Sequence, residues 1–127
     1  GGVAAGLAAL LNAELVNGIE YFLMLTNFDK ALKKTNAVIT GEGSIDIQTL
    51  QGKGPFGVAK MAKQKNIPVI GLAGQIPSVP PAELEKYFDV LLSINNELVD
   101  ISRAMENTRQ NIKRTAKLAG NLLALNM

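Results

Sequence analysis

Three short β-prone runs, each followed by a helical pattern, constrain this chain more than any other feature. They are Ala37-Val38-Ile39-Thr40, Ile67 to Ala73, and Val90 to Ile94. The middle run is nearly all apolar and Gly74 ends it; such a strand needs cover on both faces, as in a parallel sheet. Between the first two runs, Pro55 suits the first turn of a helix. Val58, Ala59, Met61 and Ala62 give that helix an apolar face, with Lys60, Lys63 and Lys65 outside and Asn66 as a stop. Ser78 and Pro80-Pro81 open another helix, with Leu84 and Phe88 one turn apart. From about Leu98 the pattern is helical nearly to the end, with Ile101, Met105, Thr108, Ile112, Ala116, Ala119 and Leu123 spaced by three and four. Strand and helix alternation of this kind predicts an α/β fold: a Rossmann-like parallel sheet of three strands joined by crossover helices.

Upstream, Val3 to Leu15 reads as a helix that is apolar nearly all round, which predicts burial on more than one side. Asn17-Gly18 is a turn signal. Ile19 to Leu25 reads as a second helix and Phe28 to Lys34 as a third, with Asn27 placed to cap it.

Composition narrows the chemistry. The 127 residues include no cysteine and no histidine. That excludes thiol and imidazole catalysis, a Ser-His-Asp triad and a Cys/His zinc site on this chain. Lack of disulfides fits a cytoplasmic setting. The net charge is only +2 and the basic residues are dispersed without interleaved aromatics, so no nucleic-acid partner is expected. No apolar stretch reaches the roughly 18–20 residues that span a bilayer, so no membrane is expected either. Tryptophan is absent and aromatics are 5%, so the core must be aliphatic. The chain begins without Met, directly in a Gly-Ala-rich run, which reads as a piece of something longer.

In open parallel sheets, ligands collect at the carboxyl ends of the strands. The segment after the first run holds two carboxylates, two hydroxyls, an ammonium and four glycines from Gly41 to Gly54. Glycine lets a ligand approach the backbone closely, and backbone N–H groups near the Pro55 helix favour anions. Lys53 could neutralise a phosphate or a carboxylate. Glu42 and Asp46 could hold Mg²⁺ through oxygen, or take a proton from a hydroxyl. A plain surface crossover would look much the same from composition, with Glu42 capping a turn and Asp46 forming an Asx-turn. The P-loop pattern fails here, because Lys53 follows Gly52 but Ile47 stands at the first glycine position and Gly54 at the hydroxyl position. Gly52-Lys53-Gly54-Pro55-Phe56-Gly57 does fit G-x-G-x-x-G. It does not directly follow a strand, and no acid follows the next strand at Ala73-Gly74-Gln75. A dinucleotide-binding module is therefore the second reading, and a non-catalytic association domain the third.

At this segment, VITGEGSIDIQTLQGKGPFGVAKMAK followed by IPVIGLAG closely resembles the bacterial type-1 glycerate kinases. The residues that fit are Val38 to Glu42, Gly43, Asp46, Gln48, Thr49, Gly52, Lys53, Pro55, Gly57, Val58 and Ala59. Gly1 to Leu7 resembles the end of that family's Gly-Ala-rich segment, so the likeness covers nearly the whole chain. The residue after Gly43 is often arginine in relatives and is Ser44 here, so no anion contact is implied from it. The resemblance implies ATP- and Mg²⁺-dependent phosphorylation of D-glycerate to 2-phosphoglycerate. On that basis Asp46 is the carboxylate nearest the chemistry, as base or metal contact, and Lys53 pairs with phosphate oxygens or the glycerate carboxylate. Glu42 is a metal or supporting carboxylate. Gln48 and Thr49 hydrogen-bond substrate or phosphates, and Gly41, Gly43, Gly52 and Gly54 admit backbone contacts. Family members are much longer and two-domained. Residues 1–127 are thus expected to be the C-terminal part of the Rossmann-like domain, inactive alone, with self-association through the surface that the remainder would cover.

Overall fold

The computed structural model describes residues 2–95 and 100–125. Three helices come first: α1 (Val3–Leu11), α2 (Gly18–Leu25) and α3 (Phe28–Leu32). Then follow β1 (Val38–Ser44), a 3-10 turn (Ile47–Gln51), α4 (Gly54–Lys63), β2 (Val69–Gln75), α5 (Ala82–Glu85), β3 (Val90–Ser93), α6 (Ile101–Glu106) and α7 (Thr108–Leu125). The strands form one parallel sheet in the order β1-β2-β3, with Val38 opposite Val69 and Ile70 opposite Val90. The expected three-stranded α/β architecture is present.

The sheet alternates its contacts. Val38, Val69 and Ala73 join Ala59 and Ala62 of α4, with Leu32, Ile45, Ile67, Leu84 and Phe88, in one aliphatic core. Small residues on α4 bring its axis close to the sheet, and the branched strand residues fill the gap. The opposite face is covered by α7, where Thr115 and Ala119 are buried and Leu122 and Leu123 adjoin Ile70, Val90 and Leu92. β2, central and covered on both sides, is the buried apolar strand that its composition predicts.

The helix boundaries follow local chemistry. Asn17 caps α2, its side-chain oxygen accepting from the Glu20 N–H at 3.1 Å. Asn66 takes a left-handed φ of 56°, the Ile67 N–H reaches the Ala62 carbonyl at 3.0 Å and the Asn66 N–H reaches that of Lys63 at 3.0 Å. This is the Schellman arrangement that the asparagine signals. Asn27, by contrast, is left-handed at φ 53° and makes no side-chain cap bond to α3.

Four expectations need correction. β1 does not stop at Thr40: it runs to Ser44 because β2 continues to Gln75 and supplies partners for Gly41, Glu42 and Ser44, so Gly74 lies inside β2 rather than ending it. α1 ends at Leu11, where Asn12 turns left-handed (φ 51°), and none of its residues is buried. The C-terminal pattern is two helices, broken at Asn107, and its inner stripe carries Thr115 rather than Ala116. Ile101 and Met105 of α6 are exposed. The expected helix start near Leu98 lies outside the described residues. No described helix is long and apolar enough to cross a membrane.

Candidate functional site

The polar segment after β1 folds onto itself through one buried hydroxyl. Asp46 caps the 3-10 turn: its Oδ1 accepts the Gln48 N–H at 2.8 Å, and the Asp46 N–H donates back to Thr49 Oγ1 at 3.2 Å. This is a capping box, with threonine in the place of the usual glutamate. Thr49 is fully buried, and its hydroxyl proton goes to Glu42 Oε1 at 2.7 Å. The Ser44 hydroxyl donates to Asp46 Oδ2 at 3.3 Å. Glu42, at the carboxyl end of β1, turns its other oxygen toward Lys53, with Nζ to Oε2 at 3.9 Å.

Glu42, Asp46, Thr49 and Lys53 therefore form one chain of contacts. The Lys53 side chain is 41% exposed and that of Glu42 21%, so their ion pair is loose and worth little by itself. Lys53 stands at the N-cap of α4 without a side-chain cap bond, and no acidic residue follows in the first turn. A cation there works against the helix dipole, so its placement does not come from helix stability. Gly52 has φ 103°, which a side chain would strain, and this turn brings Lys53 back toward β1.

Gly41 and Gly43 flank Glu42 and line a cleft of about 430 Å³ at the carboxyl ends of β1 and β2. Leu72, Gly74, Ile94 and Ile112 complete much of its wall. A Cβ at Gly41 would overlap the Leu72 carbonyl of the paired strand, whereas a Cβ at Gly43 would meet nothing within 4 Å. Asp46, Gln48, Gly52, Lys53 and Gly54 do not line this cleft, and Glu42, which does, gives its carboxylate to Thr49 and Lys53. A second hollow of about 490 Å³, between α2 and α4 beside the Glu20–Lys60 ion pair, is lined by Gly57 but by none of the candidate site residues from Gly41 to Gly54.

The structure also brings in residues that the motif reading missed. Asn95 Nδ2 donates to the Gly74 carbonyl at 2.9 Å, Asn111 Nδ2 donates to Asn95 Oδ1 at 3.1 Å, and Arg114 donates to the Ile94 carbonyl at 2.9 Å. These bonds tie the ends of β2 and β3 to α7 and fix the cleft's far wall. Nothing in the linear spacing of Asn95, Asn111 and Arg114 marks them. Among the described residues, no three His, Cys, Asp or Glu side chains gather into a cluster that could hold a metal by themselves. The G-x-G-x-x-G stretch is separated from β1 by the whole 3-10 turn, unlike the strand–glycine–helix junction of dinucleotide folds.

Fold and site together define a parallel α/β protein with a carboxylate, an ammonium and a glycine-flanked cleft at the strand ends. Comparison with known proteins gives the particular family. The family model described as the glycerate kinase family matches residues 1–124, and the chain belongs to that family. It is 41% identical over 117 residues to a glycerate kinase of Halalkalibacterium halodurans, covering 92% of this chain and 31% of that protein. It is 35% identical over 127 residues to the glycerate 2-kinase of Escherichia coli, covering 100% of this chain and 33% of that protein. A crystal structure described as glycerate kinase 2 from Salmonella typhimurium LT2 matches with a TM-score of 0.71 at 35% identity, over 99% of this chain and 32% of that one. The chain spans about a third of the length of the curated relatives that it matches.

Proposed function

We propose that this chain supplies phosphoryl-transfer loops to a cytoplasmic enzyme that phosphorylates D-glycerate at the expense of ATP, giving 2-phosphoglycerate. The observation that carries this reading is the contact chain from Asp46 through Thr49 and Glu42 to Lys53, set beside the strand-end cleft. In the reaction, the acceptor hydroxyl oxygen bonds to the γ-phosphorus, the bond to the ADP oxygen breaks, and the hydroxyl proton leaves. Lys53, held only at 3.9 Å by Glu42, is able to re-pair with phosphate oxygens or with the glycerate carboxylate. Asp46 is the proposed proton acceptor or metal contact. Both its oxygens already accept one hydrogen bond, and a carboxylate has about four acceptor positions, so capacity remains. Gln48 faces solvent and suits a ligand contact, while Thr49, buried, acts by holding Glu42.

The donor chemistry fits Mg²⁺, a hard cation that takes one or two carboxylates and completes its shell with substrate phosphates and water. Glu42 and Asp46 would hold it, and bound there it would neutralise charge on the phosphates. The chain alone is proposed to be inactive, because these loops offer one cation and two carboxylates while the relatives' remaining two thirds lie outside the match. The apolar, uncovered α1 and the unpaired edge of β1 are the proposed self-association surface.

Thermal unfolding of the chain with ADP–Mg²⁺, D-glycerate or NAD tests the assignment. A ligand at about 100 times its Kd stabilises the folded state by about 2.7 kcal/mol. Stabilisation by ADP–Mg²⁺ or glycerate without NAD supports the kinase. Stabilisation by NAD alone rejects it in favour of the dinucleotide module.

A further inference from the structure

We propose that Asn17 is a spontaneous modification site: it cyclises onto Gly18, loses ammonia and becomes aspartate and isoaspartate, and the isoaspartate loosens the seat of α2 on α4. Sequence is the first reason. Asn17 is the one asparagine of the chain that precedes glycine; all the others precede a residue with a β-carbon. That β-carbon hinders attack by the following backbone nitrogen on a side-chain amide, and glycine has none. Chemistry of this kind places asparagine among the thermolabile residues.

Geometry is the second reason. Asn17 and Gly18 are both exposed, and a Cβ built on Gly18 would meet nothing within 4 Å, so its nitrogen is open to approach. Gly18 is the first residue of α2, where a backbone N–H has no intrahelical acceptor to give up. One restraint opposes the reaction. Asn17 Oδ1 accepts the Glu20 N–H at 3.1 Å, and ψ at Asn17 is 115°, which turns the Gly18 nitrogen away from Cγ. The first turn of α2 must therefore open before the ring closes, by the local fraying that helix ends undergo well short of global unfolding.

The Gly18 nitrogen bonds to Asn17 Cγ, the Cγ–Nδ2 bond breaks, and ammonia leaves with the Gly18 amide proton. Solvent water then opens the imide ring. Addition at Cγ gives aspartate; addition at the main-chain carbonyl carbon gives isoaspartate, whose backbone runs through Cβ and Cγ. Either way the water oxygen stays on the carbon and the ring nitrogen regains a hydrogen. Aspartate keeps an N-cap oxygen and adds negative charge at the helix N-terminus, both favourable. Isoaspartate inserts a methylene ahead of Gly18 and displaces the cap oxygen. The disturbance reaches α4 and the turn before it. Ile19 packs against Gly57, where a Cβ would overlap it, and Asn17 Nδ2 is 3.6 Å from where a Gly52 Cβ would stand.

Incubation of the 127-residue chain at mildly alkaline pH, in buffer and in urea, followed by peptide mapping with mass spectrometry, tests this. The mass gain from exchanging NH2 for OH should collect at residue 17 and appear faster in urea than in buffer. Gly18→Ala, which the open space at Gly18 admits, should abolish the gain over the same interval without unfolding the protein. The isoaspartate form, separated by ion exchange and identified by isoaspartyl methyltransferase labelling, should unfold at a lower temperature than the parent. Asn17→Asp should unfold at the parent's temperature or above. No gain at residue 17 in buffer once the urea sample has converted, or a gain in buffer spread over the other asparagines, overturns the site. Equal rates in buffer and in urea overturn the gating by α2. An isoaspartate form as stable as the parent overturns the loosening of α2.

Discussion

The hydroxyl of Thr49 is fully buried and donates to Glu42 Oε1 at 2.7 Å while accepting the Asp46 N–H at 3.2 Å. One side chain thus satisfies a strand-end carboxylate and closes the cap of the following turn. Thr49→Val keeps the shape and removes the oxygen, leaving a backbone donor and a half-buried carboxylate short of a partner. It should cost about 1–3 kcal/mol. Thr49→Ser retains the bonds and should recover most of that loss. Urea denaturation of both variants measures the difference, and equal midpoints would contradict the arrangement.

Gly41 and Gly43 differ in what surrounds them, although they flank the same residue. Alanine at Gly41 drives its methyl into the Leu72 carbonyl, a backbone atom that cannot rotate away. Overpacking of this kind should cost about 2 kcal/mol or more. Alanine at Gly43 points into open space and should change stability by no more than about 0.5 kcal/mol. Thermal unfolding of the two single variants tests the contrast.

Asp89 governs a pH dependence. Its carboxylate accepts from Lys63 Nζ at 2.6 Å and from the Val69 N–H at 2.7 Å, at the start of the central strand. Partial burial pushes its pKa up, but the Lys63 and Val69 hydrogen bonds outweigh this and hold it below its ordinary 3.8. A depressed folded-state pKa means stability that is fully present above the unfolded value and lost as pH falls through the folded one. Unfolding free energy should therefore decline below about pH 4, and Asp89→Asn should flatten that decline. The side chain is 40% exposed, so the substitution should cost only about 1 kcal/mol at neutral pH. Denaturation across pH 2–7 compares the two profiles.

Val3, Leu10 and Leu11 of α1 are between 71% and 84% exposed. A helix of this kind buries its side chains against whatever apolar surface it meets, and another copy is the proposed one. Sedimentation of the chain should show concentration-dependent association, and Leu10→Lys should shift it toward monomer. A monomer at all concentrations would remove the proposed surface.

The alternation of β-prone runs and helical patterns carried the α/β class, the strand count and the parallel arrangement, because these depend on local periodicity and on short connections. Asn66 likewise declared its stop, since a left-handed C-terminal residue is a local backbone property. The extent of β1 was not local: whether Gly41 to Ser44 extend or loop is decided by partners on β2, some thirty residues later.

For the site, residue types and their resemblance to a known family marked the segment from Gly41 to Gly54, and the sequence alone sufficed for that. Only the tertiary structure separated its members. It sent Thr49 inside, left Lys53 loosely paired at the surface, and put Gly43 rather than Gly54 on the cleft. It also recruited Asn95, Asn111 and Arg114, which meet across two elements and share no spacing rule. Hydrogen-bond partners and burial are properties of where chain segments converge, and no single segment encodes that convergence by itself.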